Sequence, residues 1–127
     1  MTNNSKLIIL LPTFNEEEGI REVISRIPID KIKKLGYSTR IVVVDGNSKD
    51  LTCQVAKSMG AEIIHQTGDS GKGNGVRQAI DSLFKNSSYL GRDLLIMMDA
   101  DASYSPESLP RFIISLRDND VVWGSRF

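Results

Sequence analysis

Short runs of aliphatic residues alternate along the chain with stretches whose apolar positions recur at three, four and seven residues, and this alternation predicts a strand-helix repeat. Lys6 to Leu11 reads as a strand stopped by Pro12, which cannot donate to a sheet ladder. Ile20, Val23, Ile24 and Ile27 mark one face of a helix, with Asn15 as its N-cap, Glu16, Glu17 and Glu18 at its positive end, and Pro28 beyond it. Ile29 to Ser38 reads as a short helix or turn closed by Gly36. Arg40 to Val44 is a second strand, followed by the turn Asp45 to Asp50 and a helix running to Met59. After Gly60, Ala61 to His65 gives a third strand. A polar, glycine-rich loop from Gln66 to Gly75 precedes a helix carrying Val76, Ala79, Ile80, Leu83 and Phe84. The apolar run from Leu94 predicts a strand buried on both faces, and Leu109, Phe112, Ile113 and Leu116 a helix behind Pro106. Val121 to Trp123 begins a fifth strand.

Crossovers of this length suit parallel pairing, so the expected fold is a three-layer α/β/α domain with a mostly parallel sheet. Ligands on such sheets bind at the carboxyl ends of the strands. Every unusual polar cluster falls at one: Thr13 to Glu16, Asp45 to Ser48, Asp99 to Asp101, and Gly124 to Arg126.

Composition narrows the partners. The 127 residues suffice for one domain, and 16 basic against 16 acidic residues leave no net charge, which argues against nucleic acid as the main partner. A single cysteine excludes an internal disulfide and fits a reducing, cytoplasmic compartment; Cys53 reads as a small buried hydrophobe and His65 as structural. The polar N-terminus is neither a signal peptide nor a membrane span.

Asp99 and Asp101 are two apart at a strand end, so both carboxylates can face one hard cation that holds phosphates, with the small Ala100 leaving the approach open. The alternative is a strand end and a turn cap. Asp45 could accept hydrogen bonds from a base or sugar, or cap its turn. Phe14 could stack on a base, with Thr13 and Glu16 bonding its rim, or belong to a helix staple. Lys72 offers a point charge and Arg77 a fork for phosphate among Gly71, Gly73 and Gly75, although the P-loop pattern is absent and a surface loop is the alternative. Ser103 and Tyr104 could reach a metal shell or sugar, or simply fill the loop. Arg126 could neutralise a phosphate.

Together these motifs resemble the family 2 glycosyltransferases of the GT-A fold, and among them the polyprenyl (dolichyl) phosphate mannose and glucose synthases. The resemblance rests on Pro12-Thr13-Phe14-Asn15-Glu16, on Asp45-Gly46-Asn47-Ser48-Lys49-Asp50-Leu51-Thr52, and on Gly71-Lys72-Gly73 with Arg77. Asp99-Ala100-Asp101 matches the Asp-x-Asp motif and Gly124-Ser125-Arg126 the Gly-Ser-Arg after the next strand. It implies a nucleotide-sugar site in which Pro12, Thr13, Phe14, Glu16, Asp45, Ser48 and Ala100 surround base and ribose. Asp99 would contact the nucleotide side and Asp101 coordinate Mg²⁺ or Mn²⁺ on the diphosphate, with Lys72, Arg77 and Arg126 around phosphates; Asp99, Asp101 and Arg126 are the catalytic candidates. Ser103 stands where the lipid-phosphate synthases commonly have a metal-binding Gln, and Tyr104 and Ser105 replace the usual His and Pro. Family members continue past Gly-Ser-Arg into an acceptor-binding part, often with membrane-associated helices, so residues 1–127 are expected to be the donor-binding part.

The implied reaction is inverting transfer of a hexose from a nucleoside diphosphate to an acceptor, expected to be a polyprenyl phosphate at the cytoplasmic face of a membrane. An alcohol acceptor would need a general base, whereas a phosphate monoester, with a second pKa of about 6, arrives ionised. A sugar nucleotidyltransferase is the competing enzyme, although it would show a Gly-rich, Arg-containing loop after the first strand. A noncatalytic nucleotide-binding module is the competing reading of another class.

Overall fold

The computed structural model describes residues 5–85 and 92–122. Four strands, β1 (Ser5–Thr13), β2 (Tyr37–Asp45), β3 (Glu62–His65) and β4 (Leu94–Met97), form one parallel sheet in the order β3-β2-β1-β4. The helices are α1 (Glu17–Arg26), α2 (Ile29–Lys34), α3 (Thr52–Ser58), α4 (Lys72–Lys85) and α5 (Leu109–Leu116), with a 3₁₀ turn at Pro106–Ser108 before α5.

Alternation along β1 divides the core. Leu7, Ile9 and Leu11 pack on one face with Ile20, Val23, Val55 and Ile113, from α1, α3 and α5; Ile8 and Leu10 pack on the other with Ala79 and Leu83 of α4. The crossover rule accounts for this split. The connections β1-α1-β2 and β2-α3-β3 step across the sheet in one direction, and right-handed crossovers put both helices on one face; the step back from β3 to β4 puts α4 on the other.

The switch in direction falls between β1 and β4, and there the loops after both strands diverge.

Several expectations change. β1 continues through Pro12 to Thr13, pairing with Val44 and Asp45. Leu10 C=O accepts from Met98 N–H on the β4 side, so Pro12, two residues on, turns its missing donor toward β4, whose pairing with β1 ends at Leu10. Lys72 to Gly75 form the first turn of α4 rather than loop. β4 is half-buried, with Met97 50% exposed, because among the described strands only β1 flanks it. Val121 and Val122 are not in a strand, and Trp123 lies outside the described residues. Among the described residues no helix is long and apolar enough to cross a membrane.

Candidate active site at the ends of β1 and β4

The loops after β1 and β2 are laced together by side chains that cap backbone donors. Asn15 is not the N-cap of α1; it is held at φ 52°, a left-handed conformation that asparagine tolerates. Its N–H donates to Ser48 Oγ at 2.8 Å and its Oδ1 accepts from Lys49 N–H at 2.7 Å. The free N–H groups opening α1 are taken by the end of the neighbouring loop and the start of α3: Glu16 N–H donates to Thr52 Oγ1 at 2.9 Å and Glu17 N–H to Asp50 Oδ2 at 3.2 Å. Glu17 returns the favour, accepting from Leu51 N–H at 3.0 Å. This lacing leaves Phe14 60% exposed at the rim.

Asp45 anchors the arrangement from below. Its buried carboxylate accepts from Thr13 Oγ1 at 2.8 Å, from Ser48 N–H at 2.8 Å and from Ser48 Oγ at 2.6 Å. Burial works to raise its pKa, but these bonds and one from Cys53 outweigh it and hold the carboxyl below the usual range.

After β4, Met98 N–H extends the ladder to Leu10 C=O at 3.1 Å, and the chain then turns beneath α1. A Cβ at Gly19 would lie 2.3 Å from Ala100 O and 3.0 Å from Asp101 Cα, so the absence of a side chain there lets the acidic loop sit against the first turn of α1. Asp101 Oδ1 accepts from Ser103 N–H at 2.9 Å, and Ala102 is left-handed at φ 64°. Asp99 is paired with the Lys72 ammonium.

Both loops border one cavity of about 580 Å³, and its walls include Thr13, Phe14, Glu16, Lys72, Asp99 and Asp101. Pro12 and Ala100 line it too. Asp45 and Ser48 do not; Asp45 stands behind Thr13 and holds it, and Ser48 in turn holds Asp45. Arg77 is exposed on α4 and outside the cavity wall, as is Ser103, whose backbone orients Asp101. Arg126 lies outside the described residues.

The chain matches the model of a family described as glycosyl transferase family 2 over residues 8–127. It belongs to that family. Among curated relatives of this family 2 chain, a dolichol-phosphate mannosyltransferase of Pyrococcus furiosus is 33% identical over 96% of the chain and 33% of the relative. An undecaprenyl-phosphate mannosyltransferase of Micrococcus luteus is 32% identical over 95% of the chain and 48% of the relative. The chain thus spans about a third to a half of the length of these relatives. A mannosyltransferase from Pyrobaculum calidifontis, solved with GDP-Man and Mn²⁺, superposes with a TM-score of 0.67 at 23% identity, covering 93% of this chain and 34% of that one. The fold is therefore GT-A.

In this family 2 domain, the acidic rim fits a hard divalent ion. Asp99 and Asp101 are oxygen donors, and Mg²⁺-type ions are held by one or two carboxylates with phosphates completing the shell. Glu16 reports the local field: burial first, then Asp101, Asp50 and Asp99, push its pKa up. A cation at the rim would relieve that repulsion.

Two wall residues had no signal in the hydrophobic pattern. Gln66 is buried; its Nε2 donates to Asp69 C=O at 2.9 Å and Gly71 C=O at 3.0 Å, shaping the approach to Lys72. Gly75 makes room for it, since a Cβ there would lie 2.5 Å from Gln66 Oε1. A lone Gln in a polar run gives no hint that it turns inward.

Proposed function

We propose that this chain is the donor-binding part of an inverting hexosyltransferase that moves a sugar from a GDP- or UDP-sugar to a polyprenyl phosphate with Mg²⁺ or Mn²⁺. The observation that carries the reading is the shared cavity, in which an exposed aromatic ring and Thr13 face Lys72 and the two aspartates at the sheet's switch point. Phe14 would stack on the base. Thr13, fixed by Asp45, and Glu16 would bond base or ribose, Lys72 would hold phosphate, and Asp99 and Asp101 would hold the ion. Arg77 and Arg126 are assigned to phosphates of donor or acceptor on motif alone. The ion, when bound, supplies Lewis-acid stabilisation of the leaving diphosphate.

Chemistry and kin support this acceptor. Asp99 and Asp101 are committed to the ion, and a lipid monophosphate is already ionised near neutral pH and needs no base. The named relatives are dolichol- and undecaprenyl-phosphate mannosyltransferases. A lipid acceptor would bring the protein to a membrane surface.

The test is transfer of radiolabel from GDP-mannose or UDP-glucose to polyprenyl phosphate, followed in the organic extract. Mn²⁺-dependent labelled lipid supports the proposal. Metal-dependent nucleotide binding without transfer supports the donor-binding role but not the acceptor, and absence of nucleotide binding would overturn both the transferase reading and that of a noncatalytic binding module.

A further inference from the structure

On the far side of Asp45 from the cavity, three chemically different donors meet. Asp45 closes β2 and His65 closes β3, and the two are partners in the parallel register. Strand parity puts both side chains on the face covered by α3, since Val43 and Ile63, two residues earlier on each strand, pack with Val55 and Ala56 of that helix. Cys53 lies in the first turn of α3. One donor atom from each residue lies within 4.8 Å of the other two, and all three border a cleft of about 420 Å³. His65 and Cys53 are the single histidine and the single cysteine of the chain. The sequence suggests a small buried hydrophobe at Cys53 and a structural role for His65, yet His65 is exposed and Cys53 only partly buried.

We propose that Asp45, Cys53 and His65 form a second metal site, for a borderline-soft divalent ion of the zinc class and separate from the acidic rim. Carboxylate, thiolate and imidazole are the donors such an ion selects, and Mg²⁺ disfavours two of them. With bonds of about 2.0–2.3 Å, donors around a tetrahedral centre stand about 3.3–3.8 Å apart, so atoms now within 4.8 Å of one another need to close by about 1.5 Å at most. The cleft leaves a fourth position for water. The outer shell is already built: Thr13 and Ser48 donate to Asp45 and fix its carboxylate.

The site is tested by titrating the chain with Co²⁺, then Zn²⁺, in an Asp101→Asn background that weakens the rim site. The expected result is a thiolate-to-cobalt charge-transfer band that saturates at about one equivalent and is displaced by Zn²⁺ but not by Mg²⁺. Cys53→Ser should abolish the band, and His65→Ala, at an exposed position, should weaken binding by at least about 10-fold, the size of effect known for ligand-shell losses. With one cysteine present, the band has no other source in the chain. Absence of the band, or a band of undiminished affinity in His65→Ala, would overturn the proposal.

Discussion

The Lys72 ammonium, on the first turn of α4, is paired with Asp99 at the end of β4, across the cavity that both residues line. Both partners are partly exposed, with side chains 54% and 29% accessible, so the pair is easily broken; exposed pairs are worth about 0.2–1 kcal/mol. An ion taking Asp99 would release Lys72 to the diphosphate. In Lys72→Met, Mn²⁺ affinity without nucleotide should therefore rise, by up to about fivefold. GDP or UDP affinity should fall about 10- to 100-fold, the worth of a charge-assisted hydrogen bond. Calorimetry reads both, and a parallel loss of the two affinities would show that Lys72 does not compete with the ion.

Gly19 tests whether the acidic loop must rest on α1. In Gly19→Ala the new methyl would meet backbone on the opposing side, Ala100 O at 2.3 Å, which neither segment yields easily. Overpacking of this kind costs about 1–3 kcal/mol. Urea unfolding should show that loss, and Mn²⁺-dependent nucleotide binding should weaken in protein that is still folded. Stability lost with binding untouched would mean that Asp99 and Asp101 do not depend on this contact.

The repeat of strands and helices was legible because burial on both faces makes β1 and β2 short aliphatic runs, because burial of one face imposes a helical period on α1 and α4, and because right-handed crossovers leave few topologies. The gathering of Thr13, Phe14 and Glu16 with Asp99 and Asp101 was legible from their shared place at strand ends. What was not legible depends on contacts between distant segments. Asn15 looked like a cap because its side chain suits one; the loop after β2 supplies the caps instead. Ala100 looked like an opening, and its carbonyl is the floor on which Gly19 rests. Pro12 ends a strand only if both neighbours are present at that level, and here one pairing has already ended.

Asp45 gives a pH dependence of known sign. Its folded pKa lies below the unfolded value of about 3.9, so between the two the unfolded chain binds the proton. The stabilisation is present above about pH 4 and is lost as pH falls through the folded value. Asp45→Asn should cost about 1–3 kcal/mol at pH 7, typical of unsatisfied buried donors. The gap between wild type and variant should narrow on acidification, read from urea midpoints at pH 7, 5 and 3. A gap independent of pH would mean that the carboxylate's charge contributes nothing through Thr13 and Ser48.

Whether the two aspartates gather a divalent ion beneath a nucleotide is read most directly by calorimetry of GDP and UDP, with and without Mn²⁺, on the wild-type chain and on Asp101→Ala. The predicted result is wild-type binding of one of the nucleotides that strengthens with Mn²⁺, and a variant whose residual binding is the same with the ion as without it. Binding that remains as metal-dependent in Asp101→Ala as in the wild type would contradict the account.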